Sequence, residues 1–364
     1  MKDKLARIPV LRALACAGVF TSHCYLSVLG AWGVSVFIML SGFLLVYNGL
    51  DRADSFPRSL KGCARYSIRK IKKLYPLYTF SLLTTLLILL FLSQGNLPTG
   101  ELARMGRELA VSALLLQAWI PVKGWPFVIN AVGWYLSACV VLYFAFPYIL
   151  RRIKQISGIG KAFAAIVGIY AAMIIVAAAA SYLYGLAFTP DEAGMENFQH
   201  WFSYVFPLYR MGDFSIGCLL GYIFSENRYK AIEVKRNTAL EAAAFALAAV
   251  SQYIYKHELL PTCIIYNTLF IPSTAMLIYS FALGKGSISK VLDFPVSRFV
   301  ADYSAEIFLL HCVAYKAATP LSGYVPGPYV LQRIAFIVLN LGAAAVAALL
   351  WRRLGKRIPV LAVK

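Results

Sequence analysis

Charged residues are scarce in this chain of 364 residues, since Asp, Glu, Lys and Arg together make up 14% of it. Soluble domains carry about 25% charged residues, so the composition excludes an ordinary soluble protein. Negatively charged residues are scarcer than positively charged ones, with 16 Asp and Glu against 35 Lys and Arg. The net charge of +19 would suit nucleic acid, but the basic residues stand in short clusters between apolar runs. This pattern is typical of membrane proteins and predicts no nucleic-acid partner.

Cysteine is also sparse, and its seven residues are isolated, with no Cys-x-x-Cys pair. An odd number of scattered cysteines indicates neither a disulfide framework nor a structural metal site. The sequence therefore predicts no bound metal.

Long apolar runs are abundant, and hydrophobic residues make up 60% of the chain. A helix needs about 20 predominantly apolar residues to cross a bilayer. The sequence predicts an all-α polytopic membrane protein with about ten transmembrane helices, in which residues 1–364 form a single integral-membrane domain. The first run follows basic residues as a signal peptide would, but Arg12 interrupts it, so it is interpreted as an uncleaved span. The predicted spans are 8–29, 31–50, 74–93, 132–150, 160–186, 208–224, 237–255, 262–284, 298–316 and 329–351.

Basic residues indicate the orientation of these spans. The segment 106–120 is short and begins with charges, so it is interpreted as a short, re-entrant or interfacial helix. With that choice, 28 of the 35 Lys and Arg residues fall in loops and ends on one side of the membrane. Because basic loops remain in the cytoplasm, both the N and C termini are predicted to be cytoplasmic.

The first predicted span carries Arg12 and His23, eleven residues apart. At 1.5 Å and 100° per residue they lie about 16 Å apart along the axis and about 20° apart around it, hence on one face. A charge buried in a span costs about 2.5–3.5 kcal/mol, so it indicates function by default. The alternatives are that Arg12 extends to the interface and that His23 only packs.

Three other stretches carry polar or small residues. "SIRKIKKLYPLY" holds a basic cluster that is either an ordinary cytoplasmic loop, a lipid-headgroup contact or a phosphate site. "SAEIFLLH" holds Glu306 and His311, about 140° apart on a helix, so they should face different neighbours. "GCLLG" places Gly217 and Gly221 one turn apart, which predicts a close helix contact, with a substrate-facing backbone as the alternative.

Several motifs, taken in order, resemble one family. Arg12-x10-His23 resembles the opening signature of the acyltransferase family 3 membrane proteins, whose best-known members O-acetylate bacterial surface glycans. Similar matches follow in family order up to about residue 320, so the resemblance covers nearly the whole chain. They are "GVSVFIMLSGFLL", "RKIKKLYPLY", "WYLSACVVLYFAFP", "RMGDFSIGCLLGY" and "SAEIFLLH".

The resemblance implies a multi-pass enzyme of a bacterial-type plasma membrane. It would move an acyl group, usually acetyl, from cytoplasmic acetyl-CoA to a hydroxyl of a glycan or lipid-linked sugar, with no permanently bound cofactor and with membrane lipid around it. It implies a catalytic His23, as base or acyl carrier, with its tautomer fixed by a carboxylate: Glu306, or alternatively Asp302 or Asp213. The remaining implied site residues are Arg12, Arg69, Lys70 and Lys73 for the donor, and Ser41, Trp134, Arg210 and His311 for the acceptor.

The chain also departs from the family pattern. Lys70 and Lys73 stand where the family usually has two arginines, and Cys139 and Val140 stand where many O-antigen enzymes have acidic residues. The acceptor therefore stays open among O-antigen, capsule, peptidoglycan, membrane oligosaccharide and lipid-linked sugar. A transporter or flippase and an assembly subunit of an envelope-polysaccharide system are the alternative functions.

The orientation can be tested with topology reporters. Fusions after Gly95 and after Lys123 should both report an extracytoplasmic position, because the segment between them is not expected to cross the membrane. A cytoplasmic signal from the Lys123 fusion would mean that 106–120 spans, and the predicted topology would be wrong.

Overall fold

A computed structural model describes residues 5–24, 27–94, 98–121, 129–130, 132–227, 232–322 and 328–358. All its regular elements within these ranges are helical, as the sequence predicts. The predicted cytoplasmic ends fall partly on residues 1–4 and 359–364, which lie outside the described residues. The α-helices are α1 (Ile8–His23), α2 (Gly30–Gly49), α3 (Leu60–Ile71), α4 (Tyr75–Leu92), α5 (Thr99–Ala113), α6 (Gly133–Lys154), α7 (Ile159–Phe188), α8 (Glu192–His200), α9 (Pro207–Asn227), α10 (Val234–Lys256), α11 (Thr262–Ile265), α12 (Ile271–Leu283), α13 (Ser287–Val291), α14 (Pro295–Asp302), α15 (Ser304–Ser322) and α16 (Tyr329–Arg357).

The helices group into two compact units. The first unit comprises Met1–Tyr66 and Val141–Asp302, and the second comprises Ser67–Val140 and Tyr303–Lys364. Within the second unit, α15 packs against α16 and α4, with ring contacts such as Tyr315 to Phe336 at 5.3 Å.

Five helices are long and apolar enough to cross a membrane, among the residues that the structure describes. Two further apolar helices, Ile8–His23 and Thr268–Leu283, are shorter. These findings confirm an all-helical chain with membrane-spanning character, while the number ten stays a prediction. The five are Gly30–Ser55, Tyr75–Leu92, Gly133–Lys154, Ile159–Phe188 and Val330–Arg357.

Three predicted spans are not continuous helices. In the span 8–29, α1 ends at His23 and α2 begins at Gly30. The span 262–284 is divided into α11, a short 3₁₀ turn at Thr268–Phe270, and α12. Pro272 lies in the first turn of α12, where proline is tolerated, whereas in a helix interior it would break the hydrogen-bond ladder. The span 298–316 crosses the boundary at Tyr303 between α14 and α15, where Asp302 and Ser304 flank the break.

The segment 106–120 is not one continuous helix. It contributes the second half of α5, whose 15 residues measure about 22 Å against a hydrocarbon core of about 30 Å. The chain leaves the helix at Leu115, which has a positive φ of 57°. The prediction of a short helix is confirmed, although the helix begins at Thr99 rather than at 106.

Glycines bring α2 into close contact with its neighbours in the first unit. A Cβ on Gly217 of α9 would collide with the backbone of Met39, and one on Gly221 would lie 2.6 Å from the carbonyl oxygen of Phe43. On the other side, a Cβ on Gly33 would lie 2.6 Å from the carbonyl oxygen of Ala15 in α1. The predicted packing role of "GCLLG" is therefore confirmed.

Substitution of Gly217 tests this contact. Gly217→Ala should lower the yield and the thermal unfolding midpoint, because overpacking a close contact costs about 1–3 kcal/mol. Gly168→Ala on α7 is the matched control, since a Cβ there meets nothing within 4 Å. Equal stability of the two variants would contradict the packing role, and a stable but inactive Gly217→Ala protein would favour a substrate-facing backbone.

Candidate functional site

Ion pairs fix the start of α1 in the first unit. Arg7, just before α1, pairs with Asp293, whose other oxygen accepts a hydrogen bond from Nε of Arg298 at 2.7 Å. The hydrogen bond from Arg298, followed by the positive charges of Arg298 and Arg7, lowers the pKa of Asp293. The carboxylate therefore stays charged at neutral pH and ties α1 to α14.

Arg12 and His23 both lie on α1, which runs without interruption from Ile8 to His23. Both side chains are half-buried, whereas Leu11 and Ala15 face the core and are fully buried. The uninterrupted helix supports the predicted shared face and the axial separation of about 16 Å. The histidine is the last residue of the helix.

Two predicted acceptor residues also belong to the first unit. Ser41 of α2 lies 3.2 Å from the hydroxyl of Tyr143 on α6. A hydroxyl pair of this kind can donate and accept, so the site is chemically able to hold another hydroxyl.

Arg210, the second of these predicted acceptor residues, is completely buried in a polar cluster. Its Nη2 lies 2.8 Å from Asp213 and 3.5 Å from the hydroxyl of Ser35, which in turn donates to Asn267 at 3.0 Å. The guanidinium carbon lies 5.8 Å from the centre of the Tyr204 ring. Because a buried charge needs a partner, Asp213 makes Arg210 tolerable inside the helix bundle.

The basic cluster of the second unit has two kinds of member. Arg69 at the end of α3 and Lys73 in the following turn are exposed, whereas Lys70 is half-buried. Burial, and then the charge of Lys73, lowers the pKa of Lys70. An anion between the two ammonium groups would favour the charged form of Lys70, so the pair has the electrostatics of an anion site.

Trp134 is buried, with 3% of its surface exposed, at the start of α6. The preceding Gly133 lies against Tyr78 and Gln117, where a Cβ would come within 2.9 Å of the tyrosine ring. The Tyr78 hydroxyl donates to the carbonyl oxygen of Ser112 at 2.9 Å and accepts from Gln117 at 3.0 Å. This network fixes the first turn of α6 and hence Trp134.

Glu306 is fully buried and paired with a residue that the sequence reading missed. Nε and Nη2 of Arg352 lie 2.5 and 3.3 Å from its two carboxylate oxygens, and the Arg352 guanidinium lies 3.9 Å from the Tyr303 ring centre. Of the alternative carboxylates, Asp213 pairs with Arg210 and Asp302 ends α14. The role of Glu306 toward His23 stays a prediction.

His311 is buried, with 1% exposed. Its Nδ1 lies 2.9 Å from the carbonyl oxygen of Phe308 in its own helix. A carbonyl oxygen only accepts, so this contact assigns the proton to Nδ1 and the lone pair to Nε2, which lies 3.6 Å from Cys312 Sγ. Glu306 contacts α16, and the expectation that His311 faces a different neighbour stays a prediction.

Comparison with known proteins places the chain. The family model described as "Acyltransferase domain" matches residues 5–352. The chain belongs to acyltransferase family 3. It is similar to Acyltransferase MdmB of Streptomyces mycarofaciens, with 28% identity over 269 residues, 69% of this chain and 66% of that protein. The match thus spans just under two thirds of the length of that relative, and no solved structure matches the chain.

Membership of acyltransferase family 3 agrees with where the motifs lie. The motif residues of the first unit are on α1, α2 and α9, and those of the second are on α3, the first turns of α6 and α15. Arg352, Ser35 and Asn267 are additional polar residues around them. Among these polar contacts, the Arg210–Asp213 ion pair alone could have been predicted from the sequence, since its spacing of three residues suits an ion pair within a helix.

The Glu306–Arg352 pair predicts asymmetric stability changes. Arg352→Met should destabilise by about 3 kcal/mol, because an unpaired buried carboxylate remains. Glu306→Gln should cost less, since Arg352 is 34% exposed and can reach water. The free energies of unfolding of both variants and of the double variant complete a double-mutant cycle.

The double variant should be more stable than Arg352→Met alone. Additive losses in the cycle would show that the two side chains do not interact.

Proposed function

We propose that this chain is a membrane O-acyltransferase that moves an acyl group, usually acetyl, from cytoplasmic acetyl-CoA to a hydroxyl of a surface glycan or glycolipid. The observation that carries the proposal is α1, which joins Arg12 and His23 in one uninterrupted helix within a family of acyltransferases. The enzyme works in a bacterial-type plasma membrane with multiple spans.

The donor binds through its phosphates on the cytoplasmic side. Lys70 and Lys73 repel each other, so a polyanion between them gains from both charges, and the exposed Arg69 adds a planar donor suited to phosphate. Arg12, in the second turn of α1, meets the donor at the inner end of that helix. This assignment uses the predicted topology, in which all four residues lie near the inner surface.

His23 acts about three turns further along α1. As a neutral imidazole it takes the proton of the acceptor hydroxyl while that oxygen attacks the thioester carbonyl. The tetrahedral intermediate then expels the CoA thiolate, which receives the proton, leaving an ester and CoA–SH. General-base assistance of this kind is worth about 10²–10⁴-fold, and the pKa of a histidine suits it at neutral pH.

The acceptor hydroxyl is held by side chains that can both donate and accept. Ser41 with Tyr143 offers such a pair, and His311, whose Nε2 lies 3.6 Å from Cys312 Sγ, is the imidazole of the set. Trp134 and Arg210 complete the proposed acceptor-binding set. Glu306 orients the His23 imidazole or, through its pair with Arg352, holds α15 against α16.

Transport of a glycan or small molecule is the second candidate. The buried Arg210–Asp213 pair favours it, because charges inside a helix bundle also mark translocation paths. Consumption of acetyl-CoA separates the candidates, since a flippase neither hydrolyses nor transfers the acetyl group.

Substitution of His23 tests the proposed function. His23→Gln and His23→Ala should insert normally and still bind acetyl-CoA, because the phosphates are held elsewhere. Both should lose transfer by at least about 10²-fold, since neither side chain can take the proton. Yield, acetyl-CoA binding and acetylation of membrane glycan, detected by mass spectrometry, are measured on the same preparations.

His257→Gln is the matched control, because this exposed imidazole lies beyond the end of α10. It should retain full activity. A fully active His23→Gln protein would end the catalytic assignment, and an unstable His23→Ala protein with normal specific activity would show that His23 only packs.

A further inference from the structure

A cavity of about 520 Å³ opens in the first unit, and its described lining residues include none of the site residues assigned above. Its volume falls within the range of small-molecule sites, about 300–1,000 Å³. Three separate segments form it: Val28 after α1, the helix α8, and the stretch from Tyr255 to Tyr266. In the predicted topology α8 lies in an extracytoplasmic loop, and the other two segments lie at the extracytoplasmic ends of the spans 8–29, 237–255 and 262–284, the side on which the acceptor is expected.

The helix α8 forms one wall of the cavity and is held in place by two contacts. Asp191 caps α8 by accepting a hydrogen bond from the backbone amide of Gly194 at 2.8 Å, a favoured arrangement at a helix start. Phe198 stacks on Tyr184 of α7 with ring centres 3.9 Å apart. These contacts hold α8 on the unit, so the side chains that face the cavity are positioned before a ligand arrives.

The lining is acidic and aromatic. Glu192, Glu196 and Glu258 supply three carboxylates against the single ammonium of Lys256. Tyr255 and Tyr266 also line the cavity, with ring centres 5.9 Å apart. Carboxylates attract a cation, and aromatic faces add cation–π attraction, whereas the polyphosphate of a CoA donor would be repelled.

A second observation points to hydroxyl groups. The ring of Tyr266 lies 6.2 Å from that of Tyr204, which faces the buried guanidinium of Arg210. There, Nε and Nη1 of Arg210 and Nδ2 of Asn267 make no hydrogen bond to any residue that the structure describes, while the Asp213 carboxylate is ion-paired with Nη2 of Arg210. Unpaired donors of this kind suit a group that can accept a hydrogen bond, as the oxygen of a hydroxyl does.

We propose that this cavity binds a saccharide that carries a protonated amine, an amino sugar. Its amine lies among Glu192, Glu196 and Glu258, its ring stacks on Tyr255 or Tyr266, and its hydroxyls lie on the side of the cavity that Tyr266 forms. That this sugar is part of the acyl acceptor rests on the proposed function. Val28 follows His23 by five residues, which places the cavity close to the acyl site along the chain.

The test uses the purified full chain in detergent and three sugars of different charge. Glucosamine should raise the thermal unfolding midpoint most, N-acetylglucosamine less, and glucuronate least, in titrations at fixed low ionic strength. Glu196→Gln should weaken glucosamine binding roughly 2–5-fold, the scale of one partly exposed ion pair. Glu192→Gln/Glu196→Gln should weaken it further.

Glu226→Gln is the charge-matched control. This residue lies about 28 Å along α9 from Pro207, and glucosamine binding should be unchanged in the variant. Unliganded midpoints equal to wild type show that the variants fold, and Glu258→Gln gives an independent probe outside α8.

Glucuronate binding equal to that of glucosamine, or equal affinities for glucosamine in Glu196→Gln, Glu258→Gln and Glu226→Gln, would overturn the proposal. So would the absence of binding by any sugar. These outcomes are independent of catalysis. Acetyl-CoA turnover without sugar binding would overturn the sugar-binding role of the cavity but leave the proposed acyltransferase function. Sugar binding without turnover would do the reverse.

Discussion

Direct backbone contact between helices is the constraint on which the first unit depends. α2 lies between α1 and α9, and at Gly33, Gly217 and Gly221 no side chain separates the helices. In lipid, where hydrophobic burial does not drive helices together, such close packing is the main source of association. The position of α1, and with it the line from Arg12 to His23, therefore follows from glycines that carry no chemistry of their own.

Charge is the second organising feature. In the described helices, charged residues occur either as ion pairs or as a cluster of like charges. Arg210 with Asp213, and Glu306 with Arg352, form pairs whose buried members would be costly alone. The cluster at Lys70 and Lys73 is the opposite case, since burial and then the like charge of Lys73 both disfavour the charged form of Lys70 and lower its pKa. Paired charges stabilise a fold, whereas gathered like charges favour an anionic ligand.

Some of this organisation could be read from the sequence, and the reason is locality. The shared face of Arg12 and His23 and the packing of Gly217 both follow from helical periodicity. The basic loops and the short helix before 120 follow from composition. Each of these depends on residues within a few turns of one another.

The remaining features depend on contacts that no periodicity encodes. Arg352 meets Glu306 across 46 residues, and Ser35 meets Asn267 across 232. The cavity beside α8 is formed by three segments that are distant along the chain. The break at Tyr303 lies inside a predicted span, between Asp302 and Ser304, because hydropathy averaged over a span does not show where a helix ends.

The central claim is that acyl groups pass from a cytoplasmic donor to an acceptor on the other side along α1. Sealed membrane vesicles of defined orientation, from cells with and without the chain, test it with radiolabelled acetyl-CoA. The account predicts chain-dependent label in membrane glycan or glycolipid of inside-out vesicles, and in right-side-out vesicles only after permeabilisation. Label in sealed right-side-out vesicles, or no chain-dependent label in either orientation, would contradict it.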